Sequence, residues 1–145
     1  MSVTNMDLTK LFGDKLFAVL SEYSFSEISR LEGRDGVAVE YANRDFAVQL
    51  VAEVHGTYVH FMPRNDLEHF FPAEVIMKYL SREHSDVQSP SMDAVALFLE
   101  TRYPDISRIF SLQDGGKELN GISEAVRAEN ARNLGYDRQW VREEH

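Results

Sequence analysis

The sequence predicts an α+β fold, an N-terminal helix packed on an antiparallel β-meander of three to four strands and followed by a C-terminal helical region. Three observations predict it. Residues 5 to 22 carry an apolar stripe at helical spacing. Residues 36 to 63, GVAVEYANRDFAVQLVAEVHGTYVHFMP, alternate with period two between turn-forming residues. After Pro63 the period changes to about 3.6 and stays helical.

The first helix is predicted to open at Thr4, with Asp7 three residues on in the manner of a capping box. Leu8, Leu11, Phe12, Leu16, Val19, Leu20 and Tyr23 form its stripe, Lys15 interrupts it, and Gly13 is expected to weaken the helix slightly. Residues 25 to 31 read as an edge strand whose apolar residues Phe25, Ile28 and Leu31 do not alternate, which predicts a bulge or a twist. The strands that follow are predicted at about residues 37 to 42, 46 to 53 and 58 to 62. A two-residue turn at His55-Gly56 would pair Val54 with Thr57 and Leu50 with Phe61, and a turn around Asn43-Arg44 would pair Tyr41 with Phe46 and Val39 with Val48. Both turns put the same residues on one apolar face. The other face then holds Ala38, Glu40, Ala47, Gln49, Val51, Glu53, Tyr58, His60 and Met62.

Downstream, Pro72 suits the first turn of a helix carrying Val75, Ile76, Tyr79 and Leu80. Residues 81 to 90 form a polar connection, and Ser89 or Ser91 caps a helix bearing Met92, Val95, Ala96, Leu99 and Tyr103. Pro104 is expected to end that helix and start a short turn through Ile106, Ile109 and Phe110. Gly115-Gly116 precedes a last helix near residues 117 to 134, stopped by Gly135, with Tyr136 and Trp140 docking an extension.

At 145 residues the chain is expected to be one domain, residues 1 to 65 supplying the helix and meander and 66 to 145 the helical part. It has no cysteine and no long apolar run, so disulfides, thiolate chemistry and a membrane partner are not expected, and a cytoplasmic address is. The net charge of −9 is spread along the chain, with 9 acids and 6 bases in residues 1 to 65, 8 and 4 in 66 to 112, and 7 and 5 in 113 to 145. Without clustered Lys and Arg, nucleic acid is disfavoured as a partner, and a basic protein partner is electrostatically permitted.

No motif imposes a reaction. Glu53, His55 and His60 have the residue types of a zinc site, but the predicted register pairs His60 with Val51, down the ladder from a turn histidine, so no metal or other cofactor is expected. The pairs Glu68-His69, Glu83-His84 and Glu144-His145 lack the i, i+4 histidines of a zincin helix. Ser21, Ser24, Ser26 and Ser29 have no nucleophile elbow, and Asp114-Gly115-Gly116-Lys117 lacks the remainder of a phosphate loop. Glu40, placed opposite Ala47, would lie roughly 20 Å from Glu53 at ~3.3 Å per residue, too far for a glycosidase pair. What remains is the second sheet face. If the C-terminal helices cover it, Val51, Tyr58 and Met62 are core; if they extend the core sideways, Gln49, Glu53, Tyr58, His60 and Met62 form a partner-binding surface.

The order LTKLFGDKLFAVLSEYSF, then GVAVEYANRDFAVQLVAEVHGTYVHF, then LFLETRYPDISRIFS and KELNGISEAVRAENARNLG, resembles small acidic bacterial α+β proteins of the uncharacterised or polymorphic-toxin immunity type. The resemblance covers most of the chain in outline. It implies a non-catalytic binder that neutralises a basic toxin by occluding its active site, and it assigns no site residue. A non-enzymatic protein-binding function, of the immunity-like kind, is therefore the leading expectation. The alternatives are a secretion-chaperone-like adaptor and a small-molecule binder or weak enzyme using a sheet-helix pocket, with His60 as acid and base.

Overall fold

The computed structural model describes residues 5 to 54, 56 to 81, 90 to 110 and 121 to 122. Over these residues it is α+β, with two short N-terminal helices, a five-stranded antiparallel sheet in the order β1-β2-β3-β4-β5, and two helices after it. The predicted first helix is two, α1 (Asn5–Phe12) and α2 (Asp14–Glu22). Gly13 adopts φ 89 and ψ 152, a region almost closed to residues with a Cβ, so the glycine breaks the helix where a slight weakening was expected. Its N–H still closes α1 by donating to the Thr9 carbonyl at 2.8 Å. The stripe survives the break. Leu8, Phe12, Leu16, Val19 and Leu20 are buried, whereas Leu11 is exposed.

At the end of α2 the Phe25 N–H donates to the Leu20 carbonyl and the Ser24 N–H to that of Ser21, the two bonds of a Schellman stop. Ser24 takes the left-handed position with φ 63. The chain enters β1 (Ser26–Glu32), whose register shifts between Glu27 and Ser29, leaving Ile28 as the predicted bulge.

β2 (Gly36–Ala42), β3 (Phe46–Glu53) and β4 (Gly56–Pro63) form the meander, but both registers differ from expectation by two residues. Tyr41 pairs with Val48, not Phe46, because Asn43 occupies the first position of its turn: its Oδ1 accepts from the N–H groups of Asp45 and Phe46 at 2.8 and 3.2 Å. Leu50 pairs with Val59 and Phe61 with Val48. Gly56 closes the ladder against Glu53 with φ 144, using its glycine-only conformation at the strand's first residue and not inside the turn. An even shift returns every side chain to its face, so the division into faces stands although the partners change.

The apolar face is built in rows. Val37, Ala52 and Thr57 make one, Val39, Leu50 and Val59 the next, and Tyr41, Val48, Phe61 and Phe71 the third. Buried residues of all the described helices join these rows in one cluster, which Ile122 also enters. On this face β1 contributes Glu27, Arg30 and Glu32, with Arg30 donating to Glu27 at 2.6 Å, so the first strand lies beyond the apolar core.

A fifth strand, β5 (Phe71–Pro72), pairs with His60 and Phe61 in the region expected to be wholly helical. Two residues are too short to leave a period-two signature. α3 (Ala73–Ser81) follows directly, and α4 (Met92–Ile109) starts at Ser91, whose Oγ accepts from the Ala94 N–H. Pro104 kinks α4 at Arg102 (φ −116, ψ 16) and does not end it. No described helix is long and apolar enough to cross a membrane. Ser89, most of the loop at 81 to 90, Gly115-Gly116, Gly135, Tyr136, Trp140 and the last helix apart from residues 121 and 122, which are helical, lie outside the described residues.

Candidate functional site: the second face of the sheet

The second face also resolves into rows. Leu31, Ala38, Val51 and Tyr58 run across four strands as an apolar band. Beside it lies a polar row of Ser29, Glu40, Gln49 and His60. Beyond that, Ser26, Ala42, Ala47 and Met62 form a third row of small residues and one methionine. Ala42, Ala47 and Met62 make a separate buried cluster against Leu67 of the β4–β5 connection, which is why this corner is closed.

Of the residues predicted to bind a partner, Gln49 and His60 are brought directly opposite each other. Tyr58 stands one row away, opposite Val51, and leans over Gly56, its hydroxyl 3.8 Å from where a Cβ would be. Glu53 lies at the strand end opposite Gly56 and is exposed. Met62 is 0 % exposed and presents nothing to a partner. The periodicity placed Met62 on the correct face, but its burial beside Ala42 and Ala47, with Leu67 of the β4–β5 connection packed against them, is not written in that period.

His60 is the most constrained group here. Its Nδ1 lies 2.9 Å from Gln49 Oε1, and because an amide oxygen only accepts, that nitrogen carries the proton. Phe70, 53 % exposed, stacks on the imidazole at 4.8 Å. Burial pushes the His60 pKa below its ordinary value, partly countered by Glu74, so the ring favours its neutral form. Phe70 and Leu31 were missed as site residues. The Phe70-Phe71-Pro72 run reads as the approach to a helix, and Leu31, 73 % exposed, lies on a strand whose bulge hides its alternation.

Glu40 lies opposite Gln49, four residues from Glu53, so the two carboxylates are roughly 13 Å apart at ~3.3 Å per residue and not the ~20 Å expected; the separation still exceeds that of a glycosidase pair. His60 faces Gln49 rather than Val51, and His55, the other imidazole considered as a ligand, lies outside the described residues, as do His84 and His145. Among the described residues no group of three His, Asp or Glu side chains is placed to hold a metal ion. The three rows contain Glu40 and no Lys or Arg, and Glu53 adds a second acid at their end. They present an acidic, aromatic-bearing surface. Comparison with protein-family models, with curated proteins and with solved structures finds no match to this chain.

Proposed function

We propose that this chain is a non-enzymatic protein-binding protein that docks a basic partner on the second face of its sheet, in the manner of an immunity-like inhibitor occluding a toxin. The observation that supports this reading is the pairing of an apolar band, Leu31 to Tyr58, with acids and no Lys or Arg in the strand rows of the same face. Aromatic anchors supply affinity when desolvated, and a single sign of charge selects the partner. Capture from the native host with the wild-type chain, a Tyr58→Ala/Phe70→Ala variant and a Leu97→Ser control tests it, since Leu97 is an exposed apolar residue on α4, away from the sheet. The expected result is a basic protein retained by wild type and control and lost from the double variant with folding intact. Equal retention by all three would refute the assignment.

A further inference from the structure

A cleft of about 730 Å³ opens between the β2–β3 turn, the start of β1 and Tyr103, at the corner of the molecule beside the closed third row. That volume falls among small-molecule sites, which span roughly 300–1,000 Å³. Two arginines line it. Arg44 belongs to the turn, and the ladder that pairs Phe46 with Pro63 brings Arg64 up beside Asp45, the neighbour of Arg44. Arg64 has no ion-pair partner among the described residues. Among the described residues Arg44 pairs with Asp45, at 3.9 Å, and that carboxylate already accepts from the Tyr103 hydroxyl at 2.7 Å.

Asp45 is therefore held in the wall of the cleft, an anion beside Arg44, while Arg64 lines the same cleft without an ion pair among the described residues, in a chain of net charge −9. The wall itself is fixed: Asn43 Nδ2 donates to Tyr103 Oη at 2.7 Å and to the Tyr23 carbonyl at 2.8 Å, and Tyr23 stacks on Tyr103 at 3.9 Å. Ser24 and Ser26 add hydroxyls to the lining, and Ala42 and Ile28 add apolar surface. We propose that this cleft binds a small organic oxyanion, a carboxylate or a phosphate monoester with an apolar body, its charged end between Arg44 and Arg64 and its body against Tyr23 and Ile28. Guanidinium forks match both oxyanions, and a preset wall lowers the ordering cost of binding. Glu22, at the rim, is the one lining carboxylate with no partner among the described residues, and it opposes the ligand.

Titrating the full chain with phenyl phosphate and, separately, with benzoate, followed through amide and arginine side-chain NMR shifts, tests the site and distinguishes the two anions by which saturates first. Saturable shifts are expected at Ser24, Asn43, Arg44 and Arg64. Arg64→Gln should weaken binding ~10-fold or more, as loss of a charged hydrogen bond does, and Glu22→Gln should tighten it by up to ~5-fold, the range of an exposed charge pair. Arg108→Gln, on α4 and outside the lining, should change nothing. Arg64 and Glu22 are exposed, so neither variant threatens the fold. Linear shifts spread over all arginines in both titrations, or a dissociation constant indifferent to Arg64→Gln and Glu22→Gln, would overturn the proposal.

Discussion

Tyr23 and Tyr103 show how one backbone defect is repaired. Pro104 has no N–H to give to the Glu100 carbonyl four residues earlier, and the Tyr23 hydroxyl donates to that oxygen instead, at 3.1 Å. Tyr23→Phe keeps the ring stack and removes only this donor, so it should cost about 1 kcal/mol, read as a lower urea midpoint at unchanged slope. Tyr103 is held from the opposite side. Burial, then the hydrogen bond to Asp45, push its pKa up to about 12 from an ordinary 10.0, with the Asn43 bond acting against them. A tyrosine whose folded pKa is raised contributes stability below the unfolded value, and that contribution is lost as pH rises through the folded one. The wild type should therefore lose stability between about pH 10 and 12 more steeply than Tyr103→Phe, in denaturation midpoints measured across that range. None of this is legible from spacing, because Asn43, Tyr23 and Tyr103 are 20 and 60 residues apart and meet only when α2, the β2–β3 turn and the α4 kink converge.

The elements divide according to whether a local signal decides them. Alternation placed β2, β3 and β4 and separated their faces, because side-chain direction has period two whatever the pairing. Register did not follow from the turn residues alone. Asn43 and Gly56 each serve one position away from where a generic two-residue turn would use them, Asn43 through its side chain and Gly56 through φ 144. Gly13 is the same lesson in a helix. The stripe ran through it unbroken, yet no apolar pattern reports the backbone angle at a glycine, and the chain spends that freedom on separating α1 from α2. An added Cβ would meet nothing nearer than Asp93 Oδ1 at 3.8 Å, so the penalty of a substitution there is conformational and not steric. Gly13→Ala should destabilise by about 1–3 kcal/mol, in the range for backbone held in a disfavoured region. If chemical denaturation finds it neutral or stabilising, α1 and α2 join into the continuous helix that the stripe alone suggests.

At the scale of the whole molecule, all the described helices share a core with one face of the sheet, and the other carries an apolar band that is half-buried at Ala38, Val51 and Tyr58 and exposed at Leu31. The sequence identified that face but left its covering undecided, since burial of a sheet surface is a property of how distant segments return over it. The proposed basic partner brings a kinetic signature. Charges separated by more than a Debye length, ~8 Å at 0.15 M salt and ~3 Å at 1 M, are largely screened, so long-range attraction to a chain of net charge −9 should make association slow markedly between low and high salt. Dissociation should change little, because by then the contacts are short and desolvated. Tyr58→Ala should do the reverse, leaving association near its wild-type value and speeding dissociation, with a cost of about 2 kcal/mol or more if the ring is a central anchor. Its half-buried ring also packs on the sheet, so thermal stability has to be measured on the same variant. A variant that melts lower, yet while folded associates and dissociates as the wild type does, would make Tyr58 a packing residue and remove this face as the docking surface.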